Sequence, residues 1–448
     1  METIEEETCY RAVTSRDRRF EGRFVLAVTS TRIYCRVGCP ARMPLRANMR
    51  FFPSAAAAEE QGFRACLRCR PDRVADLAST SSTVGRAMRL IGESPLAPSS
   101  IPALAGRLGI GDRHLRRLFA THLGASPSSV ARTRRLHFAR KLLEETGLSA
   151  SEVAFAAGFG SVRRFNDAMR SAFGRTPTQL RGRAVPAREA GVRLRLPYKP
   201  PFDWRAMLAF LQPRAIPGVE EVSESWRRTM PGGAIEVSAV EGALLLRVEG
   251  CSSRELLPIV EGVKRVFDLR TDPLPIAEAL GADPLLGAMV AQRPGLRVPG
   301  AWDPFELAVR AVLGQQVSVA GATTLAGRLV RRYGTPEGAG WLFPAPAVLV
   351  DFRAEGMPEA RAEAIRGLAR AAVEGRDLTG AEVLLGIRGI GPWTAAYVAM
   401  RSGDPDAFPS GDLGLRKACG GTLPDVERWR PWRAYAAMHL WSSLGGSR

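Results

Sequence analysis

In Leu384-Leu385-Gly386-Ile387-Arg388-Gly389-Ile390-Gly391-Pro392-Trp393-Thr394-Ala395-Ala396-Tyr397, the glycines at 389 and 391 predict a tight turn that opens a helix. Backbone amides left free at a helix start can cradle a phosphate. A glycine turn is by itself more often structural, so its neighbours along the chain decide what it means.

From Phe305 the chain reads as helical, and Arg310-Ala311-Val312-Leu313-Gly314-Gln315-Gln316-Val317-Ser318-Val319-Ala320 opens that region. After the glycine turn come Phe408-Pro409-Ser410-Gly411-Asp412 and then Trp429-Arg430-Pro431-Trp432-Arg433-Ala434-Tyr435. By residue type alone, Asp412 could cap a helix and Trp393 and Trp432 could pack a core. The ordered set, however, resembles AlkA-type DNA-3-methyladenine glycosylases of the helix-hairpin-helix superfamily, from about Val192 to the C-terminus. That resemblance implies a catalytic role for Asp412, a base pocket of Trp393, Tyr397 and Trp432, and DNA contacts at Gln316, Gly389 and Gly391.

The implied chemistry suits those residue types. An alkylated purine is cationic and electron-poor, so an aromatic wall that stacks on it contributes roughly 1 to 3 kcal/mol per base. A carboxylate beside the sugar stabilises developing oxocarbenium charge and orients water. Three positions depart from the AlkA pattern: Arg388 replaces a proline before the hairpin glycine, Gly411 a second acid, and Gln316 a wedge leucine. Bifunctional relatives carry a lysine where Trp393 stands, so its absence argues against Schiff-base strand cleavage. No late cysteine cluster points to iron-sulfur.

Upstream, strand-like runs at Val192 to Tyr198, Gly233 to Val240 and Ala243 to Val248 alternate with amphipathic helices near Trp204 to Leu211 and Arg254 to Phe267, an α+β pattern. A polar, proline-containing linker is expected from Ala184 to Gly191.

Before the linker, Ile101 to Ile110 reads as a short apolar helix with a glycine turn. Asp112-Arg113-His114-Leu115-Arg116-Arg117-Leu118-Phe119 follows as a helix with a basic outer face. About 50 residues on, Val153 to Gly160 and Ser161 to Phe173 repeat the pattern. An amphipathic connector from Val130 to Glu145 joins the two. The segment, above all Glu152-Val153-Ala154-Phe155-Ala156-Ala157-Gly158-Phe159 and Phe173-Gly174-Arg175-Thr176-Pro177, resembles the AraC-type DNA-binding domain. Major-groove docking would then present Arg113, Arg116 and Arg117 from one unit, and Arg163, Arg164 and Asn166 from the other.

Nearest the N-terminus, three residues separate Cys35 and Cys39, two separate Cys66 and Cys69, and 26 lie between the pairs. Four soft donors in two knuckles are what tetrahedral zinc takes. Ile33-Tyr34-Cys35-Arg36-Val37-Gly38-Cys39-Pro40-Ala41-Arg42, Leu45-Arg46-Ala47-Asn48 and Gly62-Phe63-Arg64-Ala65-Cys66-Leu67-Arg68-Cys69-Arg70-Pro71-Asp72 resemble the N-terminal domain of Ada over about residues 9 to 75. The resemblance implies that Cys35 takes a methyl group from a methyl phosphotriester, with Cys39, Cys66 and Cys69 as the other zinc ligands. Zinc keeps the sulfur deprotonated, and four thiolates on one dication leave a charge of −2 that preserves its nucleophilicity. Arg36, Arg42, Arg46 and Arg64 lie close enough in sequence to hold flanking phosphates.

Charge agrees with a polyanionic partner. The 448 residues carry a net +18, and Ser81 to Arg183 alone holds 17 basic against 6 acidic residues. Met1 to Tyr10 is acidic, with no secretory pattern, and no apolar run approaches membrane-spanning length. Seven cysteines, four of them clustered, do not form a disulfide framework, and a reducing cytoplasm on the bacterial nucleoid fits best.

The expected fold is multidomain α+β. It comprises a zinc domain over 1–80, an all-α double helix-turn-helix over 81–183, an α+β (TBP-like) subdomain over 190–300 and an all-α helix-hairpin-helix domain over 301–448. The expected function is alkylation repair: glycosylase action on 3-methyladenine-type bases, with stoichiometric methyl transfer to Cys35 coupled to operator binding on double-stranded DNA and contact with RNA polymerase. The alternatives are a methylation-sensing transcription factor with an inactive glycosylase half, and a plain structural zinc protein that binds DNA. The Pro-Cys-His-Arg motif of Ada's C-terminal methyltransferase is missing, so O6-alkylguanine repair is not expected.

Overall fold

The computed structural model describes residues 4–71, 82–93, 101–181, 191–354 and 356–445. The linker expected at 184–191 falls outside them except for Gly191, as do the boundary near residue 80 and Asp72 of the cysteine motif. The chain divides into two compact units, Met1–Tyr198 with Ser252–Glu261, and Lys199–Cys251 with Gly262–Arg448.

In the first unit the cysteine knuckles stand on a four-stranded sheet, in the order Met49–Phe52, Val25–Val28, Ile33–Cys35, Arg64–Ala65. Leu26 faces Cys35 and Ala27 faces Tyr34 in antiparallel register, whereas Tyr34 runs parallel opposite Ala65. Successive strand residues point to opposite faces, so Tyr34 and Cys35 turn away from each other. The helix Glu6–Thr14 covers one side and buries Cys9, Ala12 and Val13 with Phe24, Leu26 and Met49. Cys9 is thus a core residue.

Both helix-turn-helix units form as the repeat predicts. Asp112–Leu123 and Val162–Phe173 are the second helices, and both end on a left-handed glycine, Gly124 and Gly174. Gly109 and Gly158 take positive φ at the two turns, where a side chain would be strained. Leu115, Phe119, Phe165, Met169 and Phe173 are buried, each such side chain contributing about 1.5 to 3 kcal/mol. The connector runs Pro127–Glu145, longer than the apolar pattern indicates, because the Ser126 hydroxyl accepts the Ser129 amide and Pro127 suits the first turn. A helix at Ser82–Glu93, not foreseen from sequence, packs Val84, Ala87, Leu90 and Ile91 into the core of the first helix-turn-helix unit.

The second unit opens with the helix Trp204–Leu211 and continues as an antiparallel meander, Glu220–Val222, Trp226–Met230, Gly233–Val240 and Ala243–Glu249, each strand pairing with the next. The first two were missed in the sequence because Glu220, Glu221, Arg227 and Arg228 mask their alternation. The reason for the charge is internal. Arg228 is 5% exposed and pairs with Glu220 at 3.0 Å and Glu306 at 2.5 Å, and Arg310 closes the ring at 3.1 and 2.9 Å. Buried pairs of this kind hold register, since losing one partner strands the other's charge. Beyond it the helices Pro304–Leu313, Val319–Tyr333, Glu359–Val373, Pro392–Arg401, Leu413–Ala418 and Arg433–Ser443 enclose two apolar clusters. Among the described residues no helix is long and apolar enough to cross a membrane.

Candidate metal centre, DNA readers and base pocket

The strand Ile33–Cys35 presents Cys35, the turn after it Cys39, and the turn after Arg64–Ala65 presents Cys66 and Cys69. Their sulfurs all lie within 4.8 Å of one another, and all four residues are buried. The Cys69 amide donates to Cys66 Sγ at 3.5 Å, a knuckle bond that favours an anionic sulfur. Mutual hydrogen bonding with Cys39, Cys66 and Cys69, together with burial, pushes the Cys35 thiol up, while Cys66 is pulled down by the same set. Four sulfurs this close cannot all ionise by themselves. The donor set fits a dication, and zinc takes four thiolates in this way.

The arginines nearby divide by environment. Arg36 is ion-paired with Glu21 at 3.0 Å, and Arg46 pairs with Glu6 at 3.0 Å while lying 4.6 Å from the Tyr10 ring centroid. Arg42 and Arg64 are exposed.

On the readers, Arg113, Arg116, Arg117, Arg163 and Arg164 are exposed, with Asn166 half-buried beside them. Arg116 is engaged by Asp112 at 3.1 Å, and Arg117 reaches His114 Nδ1 at 2.8 Å. The first reader's arginines are thus partly committed within their own helix.

Asp412 caps the helix Leu413–Ala418, its Oδ1 accepting the Leu415 amide at 3.0 Å. The capping role that the sequence left open is therefore real, and it coexists with a second one. Two indoles converge on the same carboxylate, Trp393 Nε1 on Oδ2 at 3.1 Å and Trp441 Nε1 on Oδ1 at 3.0 Å. The Trp393 and Tyr397 rings stack at 5.3 Å and 8°, one helical turn apart on Pro392–Arg401, and Trp441 meets Tyr397 edge-on at 6.3 Å. Arg401 donates to the Tyr397 hydroxyl at 3.1 Å. Burial would raise that hydroxyl's pKa, but the guanidiniums of Arg401 and Arg214 outweigh it and hold it below its usual value.

Trp432 packs against the same apolar cluster as Tyr397 and Trp441. It precedes the helix Arg433–Ser443 and packs edge-on against Tyr435 at 6.0 Å. Trp441, nine residues later on that helix, supplies the third aromatic group, and sequence reasoning missed it. Its signal was a tryptophan at the end of a run, Ala434 to Leu440, that is buried on every side.

The hairpin glycines behave as the turn requires. Gly389 has φ +88°, and a Cβ there would sit 3.0 Å from the Ala364 Cβ and 3.2 Å from the Ala360 carbonyl, so only glycine allows the approach. Gly391 is exposed in front of the helix that begins at Pro392. Gln315 ties the preceding loop to the hairpin, its Nε2 donating to the Gly389 carbonyl and to Thr394 Oγ1, both at 3.1 Å. Gln316 beside it is exposed in a left-handed conformation at φ +58°. A Cβ on Gly411 would lie 3.7 Å from the Trp393 Cβ, an ordinary contact, so space beside Asp412 is left open.

Three family descriptions match. The metal binding domain of Ada covers residues 8–72, a helix-turn-helix domain 104–183, and the AlkA N-terminal domain 193–303. A probable bifunctional transcriptional activator/DNA repair enzyme AlkA of Mycobacterium tuberculosis is 43% identical over 98% of this chain and 96% of its own length. DNA-3-methyladenine glycosylase 2 of Escherichia coli is 38% identical over 56% of this chain and 97% of its own length. The bifunctional transcriptional activator/DNA repair enzyme Ada of Escherichia coli is 31% identical over 38% of this chain and 48% of its own length.

Proposed function

Because this chain belongs to the family of bifunctional AlkA transcriptional activators and DNA repair enzymes, we propose that it excises alkylated bases of the 3-methyladenine type at Asp412 and takes methyl groups from DNA phosphotriesters onto Cys35. In this reading residues 1–80 accept the methyl, 81–183 read an operator, and 190–300 with 301–448 form the glycosylase. The partner is double-stranded DNA, RNA polymerase is the further contact through which operator binding would be read out, and the site of action is the bacterial nucleoid in the cytoplasm.

The observation that carries the glycosylase reading is the carboxylate of Asp412 held by two indoles beside the Trp393–Tyr397 stack. A flipped, cationic base would lie against those faces. The C1′–N bond breaks, the base leaves with the electron pair, and Asp412 faces the positive charge that develops on the sugar. Water orientated by the same carboxylate then adds to C1′ and gives up a proton to it, leaving the neutral abasic sugar. With Trp393 where a lysine would be needed, no imine forms and the abasic site is released intact.

At the other site Cys35, Cys39, Cys66 and Cys69 hold zinc, whose charge keeps the Cys35 sulfur a thiolate at neutral pH. The sulfur attacks the methyl carbon. An S–CH3 bond forms as the CH3–O bond breaks, and the phosphodiester departs as an anion. A thioether has no internal route back, so each chain reacts once.

A base-release assay on methylated DNA tests the reading. Asp412→Asn is expected to lose excision of 3-methyladenine while keeping DNA affinity, and wild-type-like release by this variant would sink it.

A further inference from the structure

Thr133, His137, Arg140 and Glu144 recur at helical spacing along one side of the connector Pro127–Glu145. Two of them meet the cysteine knuckles directly, His137 at Tyr34 and Glu144 at Arg70, while Thr133 acts through Glu59 and Arg140 through Glu144. Tyr34, one residue before Cys35, is fully buried; its hydroxyl donates to Glu59 Oε1 at 2.9 Å and lies 3.1 Å from His137 Nε2. The Thr133 hydroxyl binds the other Glu59 oxygen at 2.5 Å. On the second knuckle Arg70, one residue after Cys69, is ion-paired with Glu144, which also accepts from Arg140 Nε at 3.0 Å.

The same helix side touches the second reader. The His137 ring lies 6.2 Å from the Phe173 ring, and the Arg140 guanidinium 5.2 Å from it. Phe173 is the last residue of the reading helix Val162–Phe173. Just beyond it, Arg64 fills the space that a Cβ on Gly174 would need. One chain of packed groups thus runs from Cys35 through Tyr34 and His137 to the end of the reading helix.

We propose that His137 and Arg140 are positioning residues that couple the state of Cys35 to the setting of the reading helix Val162–Phe173, so that methyl uptake is transmitted by packing as well as by charge. The inference rests on the methyl-acceptor reading of Cys35. Methylation turns a thiolate into a neutral thioether, a poorer metal donor, and relaxes the strand that ends at Cys35. Tyr34 is enclosed on all sides, so the strand cannot shift without moving Glu59 and His137 with it. Close-packed interiors carry such shifts onward. A charge effect on DNA affinity is screened away by salt, whereas a packing effect is not.

The experiment measures operator affinity of the full zinc-loaded chain, methylated and unmethylated, at low and high salt, for wild type, Tyr34→Phe and His137→Gln. Wild type is expected to keep a ratio of about fivefold in favour of the methylated form at high salt. Both variants should still take up a single methyl on Cys35, and their low-salt ratio should remain above one. At high salt their ratio should fall to about one. Amide hydrogen exchange along 162–173 should respond to methylation in wild type and not in Tyr34→Phe. A wild-type ratio that vanishes at high salt, or variants that keep it, overturns the coupling while leaving the charge switch standing. A wild-type ratio of one at every salt concentration overturns the switch itself.

Discussion

Trp441 donates its indole N–H to Oδ1 of Asp412 at 3.0 Å across 29 residues of chain, and so shares with the Leu415 amide the oxygen that caps the helix Leu413–Ala418. Trp441→Phe keeps the ring and removes the donor. A hydrogen bond to a charged group is worth about 1.5 to 3 kcal/mol, so single-turnover base release should slow about tenfold to a hundredfold. Operator affinity should stay unchanged. An unaltered release rate would show that the indole only fills space.

The double role of Asp412 separates two substitutions. Asparagine caps a helix about as well as aspartate, whereas alanine costs about 1 kcal/mol. Asp412→Asn and Asp412→Ala should therefore both lose base release, while Asp412→Ala, which loses the cap together with both indole bonds, lowers the denaturant midpoint of the glycosylase half further. Equal destabilisation by the two would contradict the capping geometry.

Mass spectrometry after incubation with methyl phosphotriester DNA should place a single methyl on Cys35, and none on Cys9. Cys9 is 3% exposed, and burial pushes its thiol up to about 11. Stripping the metal with a chelator should abolish uptake and open Cys35, Cys39, Cys66 and Cys69 to thiol reagents while Cys9 stays slow. A methyl on Cys9 would refute the acceptor assignment.

The two readers should differ. Arg163 and Arg164 stand exposed, whereas Arg116 is already paired with Asp112. Loss of a base-reading arginine costs about 1 to 3 kcal/mol, and loss of a phosphate contact lowers the salt slope by about one. Operator titrations across a salt series should find Arg163→Ala and Arg164→Ala the more damaging, and Arg116→Ala the milder. The reverse order would reassign the groove contacts.

His439 is buried in the helix Arg433–Ser443, and desolvation, with Arg293 adding repulsion, lowers its pKa to about 4 from 6.5. The unfolded chain therefore binds the proton first as the pH falls. The stability of this unit should be complete above about pH 6.5 and should lose about 3 kcal/mol by pH 4. His439→Leu should flatten that slope in denaturant melts at several pH values. An unchanged slope would mean that other groups set the acid sensitivity.

What the sequence by itself determined was local. Short spacings such as Cys35 to Cys39, glycines at 109, 158, 389 and 391, and the repeat of apolar positions in the two readers are fixed by neighbours a few residues away. They gave the four-cysteine cluster, the helix-turn-helix pairs and the glycine hairpin. Tertiary structure alone decided the rest, because the partners lie far apart in the chain. Trp441 reaches Asp412 from the helix Arg433–Ser443, whereas Trp432, just before that helix, packs on Tyr435. The charged strands Glu220–Val222 and Trp226–Met230 are legible only once Arg228 has met Glu306. Tyr34, Glu59 and His137 come together across 103 residues, through the packing of a sheet against a helix that no spacing rule in the sequence records.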